Sequence, residues 1–278
     1  MIEKGSALYE RARAIGDRVR ELQLCGRLAP AYTVAGRREH AAEYLRLTDE
    51  LVRDLGARRP PWSRAARCSA LRYSGDLSAA LVCYAEFPEI ARIEQDPNFQ
   101  MAHLRNTSEV LIMEQRRYVE GHDTARQGVE LSVKLNEWWN RAELTSMLGV
   151  ATAALGDVDA GLAYIAGLGD RSHDVYAAAF LVWCEARIHE IAGHAANAES
   201  AYRNADEMIG RTGFRRGHLN GLIRADYAQF LHANGRAEEA LAQLADAEAM
   251  FGPQVGERAN QLRDLRERIT AVTSRSGG

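Results

Sequence analysis

Histidine and glutamate side chains come close together at two places in the sequence, with spacings that a metal site could use. Glu185 and His189 are four residues apart, with His194 shortly after them, and His40 and Glu43 are three residues apart. Residues with these spacings share one face of a helix. A zinc site needs three or four converging ligands and supporting hydrogen bonds. His194 follows a glycine and fits a solvated loop, so the sequence predicts no metal site.

Patterns that mark other kinds of active site are missing from the sequence. It contains no Gly-x-Ser-x-Gly elbow, no Gly-x-x-x-x-Gly-Lys-Ser/Thr loop and no Gly-x-Gly-x-x-Gly fingerprint. These motifs expose a nucleophile or hold phosphate groups on backbone N–H groups. None of the four cysteines has a neighbouring sequence that would activate a thiol. We therefore expect a protein that is not an enzyme and that needs no cofactor.

Two local features suggest binding, and each has a simpler alternative. Adjacent tryptophans, Trp138 and Trp139, could anchor a partner, because tryptophan is enriched at interaction hot spots. Packing between neighbouring repeats is the alternative that we favour. The stretch Arg53–Arg72 has six arginines against one acidic residue, Asp54. It could bind an anionic partner, but a solvated arginine surface is the simpler interpretation.

One pattern of residue types recurs along the whole chain. A glycine is followed five residues later by alanine or glycine, then by an apolar residue and usually by a small one. Its first positions lie 39, 41, 40, 37 and 42 residues apart. A fixed period in this range predicts an array of helical hairpins. The first positions are Gly36, Gly75, Arg116, Gly156, Gly193 and Gly235.

Each copy of the pattern predicts two helices with a tight turn between them. Glycine suits the turn because it accepts the left-handed backbone at the end of a helix. In the predicted helix 236–251, Ala240, Leu244 and Ala247 lie on one face. Small residues on such a face allow neighbouring helices to approach closely.

The repeat resembles the tetratricopeptide repeat over about residues 22–251. Leu148–Gly149 matches the Leu-Gly pair of that family's first helix. The fifth copy matches the second-helix half in full, at Gly193, Ala198, Tyr202 and Ala205. Its longer units resemble those of bacterial signalling proteins, including the C-terminal arrays of LuxR-type, ATP-dependent transcriptional regulators.

The third copy departs most from the family pattern. Ser108 and Glu109 stand where Leu-Gly would be, and Arg116 stands where the turn glycine would be. The helix boundaries around this copy are therefore the hardest to place.

The resemblance implies an all-α fold, a right-handed α-solenoid of about six helix-turn-helix repeats. Ala7, Arg11 and Ala14 predict an N-terminal capping helix, and the apolar face of residues 257–272 predicts a C-terminal one. We expect a single superhelical domain over residues 1–273 and a disordered tail at 274–278. The chain could also be a fragment of a longer protein, since it begins in the middle of a repeat.

Composition narrows the setting. The net charge of −3 gives no general attraction to nucleic acid, and no apolar run is long enough to span a membrane. The N-terminus has no apolar signal core, which predicts a cytoplasmic protein. Arginine and alanine far outnumber lysine, which suggests a GC-rich bacterial genome. Four scattered cysteines without a Cys-x-x-Cys pair are interpreted as reduced core residues: Cys25, Cys68, Cys83 and Cys184.

Peptides that bind to repeats of this family usually lie along the first helices, on the concave face. Counting back from each turn gives twelve side chains that we expect to face this groove, with packing between repeats as the alternative. They are Trp62, Arg72, Tyr73, His103, Asn106, Met113, Glu143, Trp183, Arg187, Glu190, Gln229 and His232. Such a mixture of aromatic, amide and guanidinium groups suits an extended peptide.

The sequence therefore predicts a scaffold that binds a protein or peptide partner in a concave groove, in bacterial signalling or regulation. The first alternative is the sensor or assembly region of a larger transcriptional regulator. A second is a helical enzyme or small-molecule binder that uses the groove as a pocket. We expect no membrane and no direct nucleic-acid partner, and a homodimer remains open.

Overall fold

The structure is a computed structural model that describes residues 2–34, 37–168, 175–211 and 217–276, without the side chains of residues 34 and 272–276. It divides the chain into two compact units, Met1–Cys83 and Tyr84–Gly278. All regular structure within the described ranges is helical. The predicted all-α fold is confirmed.

Helix α2 lies at the centre of the first unit and packs against α1, α3 and α4. Aromatic side chains dominate its core, where the rings of Tyr32 and Tyr44 stack 5.4 Å apart and Tyr9 meets Tyr44 edge-on. The helices of this unit are α1 (Ile2–Ala14), α2 (Arg18–Val34), α3 (Arg38–Leu55), α4 (Pro61–Ser74) and α5 (Leu77–Tyr84), whose last residue belongs to the second unit.

The second unit begins with α6 (Phe87–Glu94) and α7 (Pro97–Ser108), and α7 continues into a π-helical stretch, Glu109–Glu114, called the π segment below. Consecutive helices then pack as antiparallel neighbours around one continuous apolar core. They are α8 (Tyr118–Lys134), α9 (Trp138–Ala154), α10 (Val158–Ala166), α11 (Val175–Ile191), α12 (Ala195–Gly210), α13 (His218–Ala233), α14 (Ala237–Phe251) and α15 (Gly256–Ser276).

The hairpin turns fall where the repeated pattern places them. Gly75, Gly156, Gly193 and Gly235 each have a positive φ, between 72° and 110°. Glycine adopts this left-handed backbone without the steric cost that a side chain adds. The turn predicted at Gly36 lies outside the described residues. The helix pairs on either side of the described turns confirm the predicted helix-turn-helix units, as in an α-solenoid.

Small residues allow α9 and α10 to approach each other closely in the second unit. A Cβ atom added to Gly149 on α9 would lie 2.8 Å from the Gly161 carbonyl oxygen on α10, and one added to Gly161 would lie 2.7 Å from the Gly149 oxygen. Only glycine fits such a contact between two backbones. The Leu148–Gly149 pair of the repeat pattern is therefore a packing feature.

Helices stand at both ends of the repeats, as predicted. Helix α1 packs on α2, and α15 packs on α13 and α14 through Leu262, Leu265 and Ile269. The backbone of α15 remains helical through Ser276, so three residues of the predicted disordered tail, 274–276, are helical. Residues 277–278 lie outside the described part. The single domain predicted over residues 1–273 stays a prediction beside the two compact units.

The interpretation of all four cysteines as reduced was wrong for two of them. Cys68 on α4 and Cys83 on α5 form a disulfide, with their Cα atoms 5.4 Å apart. The hairpin turn at Gly75 brings these positions together, which the absence of a Cys-x-x-Cys motif could not reveal. Cys25 and Cys184 are free and buried, as the sequence predicted.

None of the helices in the described ranges combines the length and apolar character that a membrane-spanning helix requires.

Candidate binding site

The third hairpin has an irregular backbone where α7 should end. The π segment continues α7 for six residues, and all six of its side chains are buried. Its last backbone hydrogen bonds span more residues than the four of an α-helix. The N–H of Gln115 donates to the Val110 carbonyl at 2.9 Å, and the N–H of Arg117 donates to the Leu111 carbonyl at 2.7 Å. Single π-helical turns are rare and occur often at functional sites. The irregular backbone therefore makes the π segment a candidate functional site.

Arg116 occupies the turn position of the repeated pattern that glycine holds at Gly75, Gly156, Gly193 and Gly235, and like Gln95 and Asn136 it has a positive φ without being glycine. Its φ is +57°, so it keeps the left-handed turn even though it carries a side chain. A left-handed residue other than glycine costs about 1–2 kcal/mol. Its guanidinium lies 2.8 Å from the Gln229 Oε1 atom and 3.3 Å from the Asp226 Oδ1 atom, both on α13. The arginine thus makes contacts that a glycine at this turn could not make.

Asp226 is the point where side chains from several helices meet. Its Oδ2 atom accepts hydrogen bonds from Arg187 Nη1 at 2.7 Å and from the Trp183 indole N–H at 2.9 Å, both from α11. Arg187 and Trp183 are fully buried, and only 13% of the Asp226 side chain is exposed. Arg187 also donates to the Tyr118 hydroxyl at 2.8 Å. These bonds fix the Asp226 carboxylate in one orientation.

The Arg187 guanidinium remains charged although it is buried. Burial on its own lowers the pKa of an arginine, but the Asp226 carboxylate, together with Tyr118, Tyr202 and Glu190, more than offsets this, so the pKa of Arg187 stands well above its ordinary value. Arg187 Nη1 also lies 3.5 Å from the Met113 carbonyl oxygen of the π segment. The cation therefore links the irregular backbone to Asp226.

A second ion pair connects the π segment to the C-terminal helix. Glu114 pairs with Arg258 of α15, and both side chains are almost fully buried. Gln261 Nε2 donates to the Glu114 carbonyl oxygen at 3.0 Å, and His218 Nε2 lies 3.8 Å from the Glu114 carboxylate. Arg258 also lies over the Phe251 ring, 5.0 Å from its centroid. The Met113 and Glu114 carbonyl groups at the end of the π segment thus accept hydrogen bonds from side chains that lie far away in the sequence.

These groups surround a cavity of about 290 Å³ between the π segment, α13 and α15, called the Asp226 pocket below. Its volume is at the lower end of the range for ligand-binding pockets. Apolar side chains form part of its wall, and amide and charged groups form the rest. The pocket is lined by Met113, Glu114, Gln115, Arg116, Leu222, Ala225, Asp226, Gln229, Phe251, Arg258, Gln261, Leu262, Asp264, Leu265 and Arg268.

Four of the twelve side chains predicted for the groove come together at this pocket. Met113 and Gln229 line it, and Trp183 and Arg187 hold Asp226 from behind. Met113, Trp183 and Arg187 are buried among other helices, so for them the packing alternative describes the environment. Gln229 is half-buried and reaches the cavity.

The other predicted residues of the second unit do not meet at the Asp226 pocket. Glu143 is buried and pairs with Arg105, and Glu190 accepts a hydrogen bond from the Tyr202 hydroxyl. His103 lies 2.9 Å from the Tyr84 carbonyl oxygen, where burial lowers its pKa. Asn106 on α7 and His232 on α13 are half-buried, and the Asn106 side chain donates to the Ala102 carbonyl.

Three predicted groove residues lie on α4 in the first unit. Trp62 is 41% exposed, and Tyr73 is half-buried. Arg72 is buried, with its guanidinium 5.8 Å from the centroid of the Tyr73 ring. Elsewhere in the arginine-rich stretch, Arg59 is half-buried and pairs with Asp49, so not all six arginines are solvated surface residues. Binding by these three residues stays a prediction.

Two local features of the sequence remain, the histidine pair and the tryptophan pair. The rings of His189 and His194 lie 5.7 Å apart, and no group of three or more metal-binding side chains comes together within the described ranges. Trp138 is 41% exposed, and Trp139 is half-buried at the start of α9.

Sequence reasoning missed the residues that form the pocket's polar wall. Asp226, Glu114, Arg258 and Gln261 are ordinary polar residues of helices in the sequence, and their partners lie up to 147 positions away. One signal was available. The third repeat departs from the pattern at Ser108–Glu109 and at Arg116, and this is where the helix becomes π-helical and the left-handed arginine begins the site.

Comparisons with known proteins do not assign the chain to a family. No protein-family model matches it. No curated protein matches it either. Among solved structures, it is similar to a tetratricopeptide repeat protein from Parabacteroides merdae, with 12% sequence identity, a TM-score of 0.43, and coverage of 90% of this chain and 98% of that one. A likeness this weak supports no conclusion about function, so the fold description rests on the helices themselves.

Proposed function

We propose that this protein is a non-enzymatic binding module that holds an extended segment of a partner protein, or a peptide, in the Asp226 pocket. The observation that supports this most is Arg116, a side chain that occupies a glycine position at a steric cost and reaches Gln229 and Asp226. Strained backbone persists where surrounding structure enforces it, often at functional sites.

The composition of the pocket favours binding over catalysis. Its polar groups are held by ion pairs and hydrogen bonds, and apolar side chains from α13 and α15 complete its wall. This combination of fixed polar groups with apolar surface is typical of ligand pockets. None of the described residues that line it is serine, threonine or cysteine, the side chains that most often act as nucleophiles.

The setting that we propose is regulation in a bacterial cell, either as an independent scaffold or as the sensor region of a larger regulator. It is supported by the repeat resemblance alone. The proposed location is the cytoplasm. The Cys68–Cys83 bond offers a check on this location, because structural disulfides persist mainly in oxidising compartments.

A peptide library displayed on phage tests the binding function on the full chain. Ala225→Trp fills the pocket from α13, and Ala233→Trp places the same side chain at an exposed position of the same helix as a matched control. We expect selected peptides to bind the native protein and the Ala233→Trp variant equally, and to lose at least about tenfold in affinity for Ala225→Trp. Peptides that bind both variants equally, or a library that yields no binder, would contradict the proposal.

A further inference from the structure

Arg116 has hydrogen-bonding capacity that its partners in the protein leave unused. Among its contacts with described residues, a single nitrogen, Nη2, makes the bonds to Gln229 and Asp226. A guanidinium has five N–H donors on three nitrogens. About a third of the Arg116 side chain, 34%, is exposed, and the residue lines the pocket. Its remaining donors are therefore available to a ligand in the pocket.

The charges at the pocket are mixed in sign. Three arginines and three acidic residues line it: Arg116, Arg258, Arg268, Glu114, Asp226 and Asp264. Behind it, the buried Arg187 is bonded to Asp226, and its charge also interacts with Glu190. Such a lining suits a ligand group with a single negative charge better than a phosphate group. A phosphate carries about two negative charges at neutral pH and would be opposed by the nearby acidic side chains.

Two glutamines present complementary halves of their amides beside Arg116. Gln229 accepts from Arg116 through Oε1, which leaves its Nε2 group as a donor. Gln261 donates through Nε2 to the Glu114 carbonyl, which leaves its Oε1 atom as an acceptor. Both residues line the pocket. One fixed donor and one fixed acceptor match the C=O and N–H groups of an extended peptide.

We propose that the partner segment carries a carboxylate that binds Arg116, while Gln229 and Gln261 bind its backbone. This inference rests on the proposed function and specifies the ligand of the same pocket. The carboxylate comes from a glutamate or aspartate side chain or from a chain terminus. A guanidinium binds either one through two parallel hydrogen bonds. Arg116 is thus the residue that determines specificity.

The Trp183 indole provides a reporter that does not depend on an activity. Its N–H group donates to Asp226, so its NMR resonance responds to changes at the pocket. The chain has four tryptophans, and Trp→Phe substitutions at positions 62, 138 and 139 assign the Trp183 signal by elimination. The probes are the pentapeptide acetyl-Ala-Leu-Glu-Leu-Ala-amide and its counterpart with Gln in place of Glu.

We expect the glutamate peptide to shift the Trp183 resonance in a saturable manner, with an affinity at least about tenfold higher than that of the glutamine peptide. Arg116→Asn removes the guanidinium and keeps a residue type that tolerates a left-handed backbone. This variant should reduce the affinity for the glutamate peptide to that for the glutamine peptide. Arg126→Asn is the matched control, because Arg126 is an exposed arginine of α8 that pairs with Glu130, and it should preserve the preference.

Two further probes distinguish the sources of the carboxylate. The glutamine peptide with a free C-terminus should bind like the glutamate peptide if the pocket accepts a chain terminus, which also supports the inference. Acetate that binds as tightly as the glutamate peptide would show that the pocket selects a small acid, and the peptide part of the inference would be wrong.

The results separate this inference from the proposed function. Equal affinities for the two amidated peptides, or an unchanged preference in Arg116→Asn, overturn the carboxylate inference and leave peptide binding intact. If neither peptide shifts the resonance, the inference is also overturned, and the phage selection decides the proposed function independently.

Discussion

The turn at Arg116 and the turn at Gly156 connect the same kinds of helix, but they do so with different backbones. At Gly156, α9 ends regularly and a glycine with φ of 110° starts the next helix after one residue. At Arg116, α7 becomes π-helical first, and an arginine takes the left-handed position. The repeat keeps its period through both turns. A local change of backbone can therefore add polar groups to a site without altering the packing of neighbouring hairpins.

The two regions also differ in how they are held together. The α9–α10 hairpin depends on the close contact between Gly149 and Gly161. The π segment instead depends on buried ion pairs, Glu114–Arg258 and Arg187–Asp226, with residues far along the chain. Polar contacts of this kind are costly to break, because a buried partner is left without its counter-charge. Changes at the π segment should therefore affect stability more than changes at a regular hairpin.

The largest effect is expected from breaking the buried pair at the π segment. Arg258→Gln leaves the Glu114 carboxylate buried without its cation and should lower the free energy of unfolding by about 3–5 kcal/mol. Arg126→Gln breaks the exposed pair with Glu130 on α8 and should cost less than about 1 kcal/mol. Urea unfolding followed by circular dichroism measures both. Similar losses in the two variants would show that the Glu114–Arg258 pair is not buried as described.

The repeated pattern in the sequence predicted the regular hairpins of this comparison. Glycine and small residues at fixed intervals determine turns and close helix contacts, so the hairpins at Gly156, Gly193 and Gly235 followed from local patterns. The π segment did not follow, because Glu109–Glu114 has a composition that an ordinary buried helix would accept. The role of Asp226 could not be predicted from the sequence either. Its partners Trp183 and Arg187 lie 43 and 39 positions away and meet it only through helix packing.

The next effect concerns a hairpin that keeps its turn glycine and adds a covalent bond. Cys68 and Cys83 lie on either side of the Gly75 turn, and a disulfide that closes a loop of this length contributes about 3 kcal/mol in the chain-entropy model. Reduction should lower the stability of the first unit by about that amount. The same reductant should have no effect on a Cys68→Ala/Cys83→Ala variant.

Thiol counting checks the same bond without unfolding curves. Burial raises the pKa of Cys25 to about 12, and burial also raises the pKa of Cys184 well above its ordinary value. Neither thiol should react with a thiol reagent in the native protein, and two should react after unfolding without reductant. Four reactive thiols under those conditions would contradict the disulfide and would support the cytoplasmic location.

Exchanging the two turn residues should give a smaller effect that differs between the sites. Gly156→Arg places a side chain on a left-handed residue that has nothing within 4 Å of its Cβ position, so it should cost about 1–2 kcal/mol. Arg116→Gly should change stability by less than about 1 kcal/mol. The strain that it relieves is offset by the lost contacts with Asp226 and Gln229 and by the flexibility of glycine in the unfolded chain.

Thermal or urea unfolding of the two variants provides the measurement, and peptide affinity provides a second readout. If Arg116→Gly changes stability by less than about 1 kcal/mol while peptide binding is lost, the arginine is maintained at this turn for binding. A large loss of stability in Arg116→Gly would instead make the arginine a structural residue and would contradict the comparison.

The smallest effect is a pH dependence at the helix that leads into the π segment. Burial lowers the pKa of His103 below its ordinary value of 6.5, and the hydrogen bond with the Tyr84 carbonyl opposes this only in part. The unfolded chain then binds the proton more readily than the folded chain does. The stability associated with a neutral His103 is therefore complete above pH about 6.5 and declines as the pH falls towards the lower folded-state pKa.

His189 on α11 is the matched histidine in a regular hairpin. Burial also lowers its pKa, the Glu185 carboxylate on the same helix opposes the shift through its charge, and the nearby His194 adds to it. We expect His103→Gln to reduce the loss of stability between about pH 7 and pH 5.5 more than His189→Gln does. Urea midpoints measured across this range test the order. An unchanged pH profile in His103→Gln would show that the imidazole is solvated and that burial does not lower its pKa.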